Sequence, residues 1–188
     1  LPKPWVTDNN KDNKRPMAIL KIARMGHPVL GMVADTVTDC DDPAIKTLVS
    51  DMVDTLVDIG GAGLAAPQVH ESKRIIIYHV PESRAGENEM VALRAFINPV
   101  LTPIGDETGV AVEGCLSLPG MAGAVERYLD IHYKATLLNG DSIEGEAHGF
   151  HARVLQHECD HLDGTLYPER MQDLSSFGFV EELSKREQ

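Results

Sequence analysis

Gln156-His157-Glu158-Cys159-Asp160-His161 is the stretch from which the rest of this 188-residue chain can be read. Its two histidines are four residues apart, so on a helix both rings leave the same face and can grip one divalent ion. Glu158 follows the first histidine and stands beside any water held there. The flanking residues predict a helix from Gly149 to Leu162. That run has no proline, Phe150, Val154, His157 and His161 share one face, and Gly164 is available to close the end.

Catalytic sites of this kind take three protein donors and leave one position open. Extended versions of the motif place a third histidine three residues past Gly164, but that position is Tyr167. Glu181 is a second candidate, although Phe179-Val180-Glu181-Glu182-Leu183 reads as an amphipathic helix with its charges outward. The third is Cys115 in Glu113-Gly114-Cys115-Leu116-Ser117, a soft thiolate donor between small or flexible positions. The other two cysteines compete poorly. Cys159 lies two residues from each histidine and points away from their face as a small buried hydrophobe. Cys40 sits among Asp39, Asp41 and Asp42, and three cysteines at these spacings make no disulfide framework.

In chain order, Gly61-Ala62-Gly63-Leu64-Ala65-Ala66-Pro67-Gln68, Glu113-Gly114-Cys115-Leu116-Ser117 and the opening stretch resemble the three signature motifs of peptide deformylases. The resemblance runs from about Met17 to about Met171. It implies one divalent ion held by Cys115, His157 and His161, with iron(II) native and zinc, nickel or cobalt able to replace it. It makes Glu158 the general base and assigns the reacting oxygen to the Gln68 side chain and the Leu116 backbone N–H. The implied substrates are nascent polypeptides beginning with N-formyl-methionine. Gly61, Gly63 and Gly114 would let a peptide backbone approach closely, with Gly63 pairing to it as in strand addition. Phe150 and Val154 would line an apolar pocket for the methionine side chain, with Arg153 at its border. Two readings from other classes stay open at this point: a general metalloendopeptidase using Glu181 as third ligand, and a metal- or peptide-binding module without activity.

Around these motifs the pattern is α+β in a single compact domain, and the resemblance implies antiparallel sheets surrounding the metal-bearing helix. Asp42-Pro43 starts a helix that ends near Gly60. Lys73 to Val80 and Phe96 to Leu101 read as strands, and alternation from Leu129 runs into Asn139-Gly140, a two-residue hairpin turn. His79, His132 and His148 fall on these elements as non-ligands. Pro81 to Glu89 reads as a polar surface loop rather than a linker.

A 43% hydrophobic content supports one substantial core over residues 17–188 without staples. The net charge of −12 argues against general nucleic-acid binding, and no apolar run is long enough to span a membrane. Residues 1–16 are polar, carry Asp8 and Asp12, and read as a flexible leader or extension before Met17-Ala18-Ile19-Leu20. A reducing cytoplasm is the simplest compartment. The resemblance implies transient proximity to the ribosome; some members of that family carry a basic C-terminal helix, whereas the tail here after Met171 mixes Asp173, Glu181, Glu182 and Glu187 with Lys185 and Arg186, which argues against stable docking.

Overall fold

Ile75, Ile76, Ile77 and Tyr78 are all fully buried, although successive side chains of a strand point to opposite faces. Their strand therefore needs cover on both sides. In the computed structural model, which describes residues 17–85 and 90–187, a helix supplies it on each. The expected leader, 1–16, lies outside the described residues, as do 86–89 of the surface loop.

The strand, β2 (Ile75–Val80), is second in a five-stranded antiparallel sheet. The order is β1 (Gly63–Ala65), β2, β3 (Val91–Pro103), β6 (Asp130–Thr136) and β7 (Ser142–His148). On one face α1 (Pro43–Ile59) packs Val49, Met52, Val53 and Leu56 against Ile75, Ile77 and Ile97. On the other, α2 (Gly149–Leu162) packs Ala152, Leu155 and Cys159 against Ile76, Tyr78 and Phe96. A second antiparallel sheet of β4 (Thr108–Cys115), β5 (Leu118–Tyr128) and β8 (Gly178–Phe179) completes the enclosure of α2. Its Leu118 and Val125 bury against Leu30, Leu166 and Tyr167. The short α3 (Val180–Leu183) follows β8.

Both long helices begin and end as their sequences predict. Asp42 accepts the Ala44 N–H at 2.8 Å ahead of Pro43, and Gly60 closes α1 in the left-handed region at φ 76°. Past α2, the Thr165 N–H returns to the Asp160 carbonyl at 2.9 Å around Gly164, whose φ is 71°. A Cβ on Gly164 would sit 2.8 Å from the Gly31 carbonyl carbon, so this turn has no room for a side chain.

Three boundaries differ from the sequence reading. The strand starts at Ile75 because Lys73 bridges in parallel to Asp35 instead. β3 extends well beyond 96–101 and shifts register between Ile97 and Val100, where Asn98 takes φ 51° and its side-chain amide binds both Val37 N–H and Val37 carbonyl. The hairpin joining β6 to β7 has a three-residue loop. Only Gly140 has positive φ, Leu137 N–H bonds to the Asp141 carbonyl, and Gly140 N–H returns to the Leu137 carbonyl. The sequence signal located this turn correctly and misjudged its type.

His151, on the buried side of α2, stacks on Tyr78 and places Nε2 3.2 Å from the Tyr78 hydroxyl. Burial raises the phenol's pKa, so it keeps its proton and donates, and burial lowers the imidazole to about 4. The unfolded chain, with His near 6.5, binds the proton first, so stability falls as pH drops through the interval between these values. Between pH 7 and pH 5 this one group should cost about 2 kcal/mol. Urea denaturation of His151→Phe at both pH values should show a correspondingly shallower loss than the wild type, and parallel losses would remove His151 as the cause.

Candidate active site

α2 delivers His157 and His161 side by side from successive turns, and the end of β4 brings Cys115 against them. Cys115 Sγ lies 3.3 Å from His161 Nε2, and one donor atom from each of the three residues falls within 4.8 Å of the others. Among the described residues this is the one three-donor group of metal-ligand type. Glu181 is exposed on α3 and outside it, so the endopeptidase ligand set does not form. Tyr167, where an extended motif would carry histidine, instead stacks its ring on His157 with centroids 6.2 Å apart.

The donor set fits a divalent ion. Burial holds His161 neutral, its pKa well below the ordinary value. Burial also works against a proton on His157, yet hydrogen bonds to Cys115 and Glu113 outweigh it and raise that pKa to about 10. Cys115 and Glu113 thus draw positive charge to His157, and a neutral His161 keeps a lone pair to offer an ion. The soft sulfur and two nitrogens suit transition-metal ions rather than calcium or magnesium.

Glu158 is buried against the same point. Burial, the largest influence, raises its pKa to about 7, and its Oε2 has no hydrogen-bond partner among the described residues. A carboxyl so placed exchanges protons readily near neutrality. Its position explains Gly63: a Cβ there would come within 2.3 Å of Glu158 Oε1 and 2.7 Å of its carboxyl carbon. The expectation that Gly63 makes space for a peptide backbone is therefore incomplete, because the catalytic-type carboxylate already occupies the space beside it. Gly61 leaves room for the Leu56 side chain, while a Cβ on Gly114 would make only ordinary contact.

Gln68 is buried with its amide oriented. Its Oε1 accepts the Ala65 N–H at 2.9 Å, which turns Nε2 toward Cys115 Sγ at 3.4 Å and the Ser117 hydroxyl at 3.3 Å. Leu116 and Ser117 form the tight turn between β4 and β5, Cys115 pairing with Leu118 across it. The Ser117 N–H points back to Cys115 Sγ at 3.4 Å. A cleft of about 860 Å³ opens over this group, and every residue predicted for the site lines it except His161, which lies beneath. Val154 is shared between the cleft wall and the core, and Phe150 carries the Arg84 guanidinium 5.2 Å above its ring.

Residues 19–177 match the family model described as polypeptide deformylase. The chain belongs to that family. Peptide deformylase 1 of Prochlorococcus marinus is 46% identical over 169 residues, covering 89% of this chain and 88% of that protein. Peptide deformylase 1 of Nitrosomonas europaea is 45% identical over 166 residues, covering 88% and 94%. Among solved structures, the Met-Ala-Ser-bound class I type b enzyme from Acinetobacter baumannii has a TM-score of 0.76 at 34% identity, covering 82% of this chain and 99% of that one. The Ehrlichia chaffeensis enzyme in complex with actinonin reaches 0.78 at 33% identity, covering 91% and 97%. Deformylases are metal-dependent hydrolases that remove the formyl group from the N-terminal methionine of newly made polypeptides.

Sequence reasoning passed over the residues behind the donors. Glu113 accepts from His157 Nδ1 at 2.8 Å and from Arg153 Nη1 at 2.7 Å, and Arg127 grips both its oxygens at 3.0 Å. Burial alone would raise the Glu113 pKa, but the hydrogen bonds from His157 and Arg127 overcome it and hold the carboxyl near 2. Arg153, expected at the pocket border, lines the cleft while its guanidinium donates to Glu113 and to the Val125 and Gly109 carbonyls. The one signal in the chain was the position of Glu113 two residues before Cys115.

Gly63→Ala should keep the metal and the fold while displacing Glu158. Turnover should fall by about two orders of magnitude, the lower range for lost general-base help, with little change in the Michaelis constant. Steady-state kinetics beside metal analysis would check this, and unchanged turnover would mean that Glu158 tolerates the added methyl.

Proposed function

We propose that this chain deformylates N-formyl-methionyl polypeptides with Cys115, His157 and His161 holding one divalent ion and Glu158 moving the proton. The observation that carries the reading is Glu158, buried, tuned to about 7, and set against three converging donors. A module that only bound metal or peptide would have no use for such a base.

When bound, the ion supplies positive charge that acidifies a water and polarises the formyl carbonyl. Glu158 takes a proton from the attacking water and passes it to the departing amine nitrogen, so that formate and a free N-terminus result. The carbonyl oxygen gains charge on attack. Gln68 Nε2, fixed by the Ala65 N–H, and the Leu116 backbone N–H are the donors that meet it. β1 is an edge strand of its sheet, which leaves Gly63 able to pair with an extended substrate. Phe150 and Val154 offer the apolar wall for the methionine side chain. Gly61 and Gly114 flank the path of the peptide.

Iron(II) is the native ion in this reading, with zinc, nickel and cobalt as functional or adventitious replacements; metal analysis of anaerobically purified, active protein tests it. Action on nascent chains places the enzyme in the cytoplasm with transient ribosome proximity. Among the described residues no helix is long and apolar enough to cross a membrane. Residues 17–188 form the catalytic domain.

Wild-type protein should release formate from a formyl-methionyl peptide and leave the unformylated peptide intact. Glu158→Ala should retain the metal and lose nearly all turnover, whereas His157→Ala or His161→Ala should lose the metal, and Glu181→Ala should alter neither. Near-normal turnover of Glu158→Ala would sink the general-base assignment.

Gln68→Leu should lower turnover by about two to three orders of magnitude with metal content unchanged, the loss typical of one oxyanion donor. A change confined to the Michaelis constant would make Gln68 a uniform substrate contact instead.

A further inference from the structure

The two histidines of the donor group are held in different ways. His157 has its own anchor, the 2.8 Å hydrogen bond from Nδ1 to Glu113. His161 has none: its Nδ1 is buried and without a partner among the described residues. What stands beside His161 is Asp160, the preceding residue on α2, whose side chain meets β5 and does not line the cleft. There Arg127 of β5 donates from Nη1 to Asp160 Oδ2, while its Nε and Nη2 take the two oxygens of Glu113. Arg170 closes the far side of Asp160, with Nη2 2.7 Å from Oδ1.

One planar guanidinium therefore joins the residue two before Cys115 to the residue one before His161. All three members of this bridge are buried. Buried ion pairs add little stability over well-packed apolar groups of similar size, so stability alone does not account for choosing charges here. A fork of fixed angles does something that apolar packing does not, which is to fix a distance and an orientation.

We propose that Arg127 is a positioning residue that sets His161 against Cys115, supplying through Asp160 the constraint that His161 lacks at its own ring. The proposal rests on the reading of Cys115, His157 and His161 as the metal ligands. Arg127 does not line the cleft. Its effect reaches the chemistry only through the donor geometry. Lysine keeps the charge but presents one point rather than a fork, so Arg127→Lys separates geometry from electrostatics.

The test loads the metal-free full-length protein with cobalt(II) or zinc. Wild type should show visible d–d bands of low-symmetry cobalt and a thiolate-to-cobalt charge-transfer band; absence of both in wild type would refute the ligand assignment itself and not the role of Arg127. With those bands present, Arg127→Lys should shift them and weaken zinc binding by about 10- to 100-fold in chelator competition, the range typical of lost outer support for a ligand. Turnover should drop while the Michaelis constant holds. Arg170→Gln, at a half-exposed position, should weaken zinc binding in the same direction by a few-fold, and it carries the test if Arg127→Lys does not fold. A lower melting temperature in either folded variant, with wild-type cobalt spectrum and zinc affinity, would overturn the proposal and leave the bridge a purely structural one.

Discussion

Three donor atoms must meet within 4.8 Å although one comes from the end of a strand and two from a helix that starts 34 residues later. Nothing in the local conformation of either element brings them together. The meeting depends on burying α2 between two sheets, which places its histidine face against the β4–β5 turn. The apolar side of α2, Ala152, Leu155 and Cys159, anchors it to the larger sheet. Its polar side is then committed to the smaller one. Hydrophobic burial decides where the helix lies, and the ion pairs around Glu113 decide how it is turned.

That division of labour explains the electrostatics of the site. Two carboxylates only a few residues from the donors are driven to opposite states. Glu113 meets two guanidiniums and an imidazole and stays ionised. Glu158, equally buried, meets no hydrogen-bond donor at Oε2 among the described residues and is pushed toward neutrality. Identical side chains thus take unlike states, one bound to His157 and the other poised to exchange a proton near neutrality.

Much of this was legible in the residues. The histidine spacing located α2 to within a residue, because a helical turn and a ligand pair impose the same period. The two-faced isoleucine run announced β2, and the glycine-rich and cysteine motifs named the remaining candidates. What stayed hidden depends on contacts distant in sequence. Arg127, Asp160 and Glu113 look like ordinary surface charges in a chain rich in acids, and only the fold shows that they neutralise one another in the interior. The fit of Gly63 against Glu158 was also hidden, since no sequence pattern reveals that a carboxylate 95 residues later leans against it. The β6–β7 loop was misjudged because Asn139-Gly140 serves two turn geometries that differ by one residue.

The isoleucine run carries a consequence for how the chain finds its pairing. A strand with one greasy side resists slipping by one residue, because slipping would drown that side in water. β2 lacks this safeguard, for both its sides are greasy and a shifted alignment would bury almost as much. The peg lies elsewhere. His79 sends Nε2 to within 2.9 Å of the Gly61 carbonyl while its backbone N–H takes the Ala62 carbonyl at 2.9 Å, so one residue clips two successive carbonyls of the neighbouring segment. A histidine outside the three-donor group thereby sets the alignment of the strand bearing Gly63, and with it the gap into which Glu158 fits.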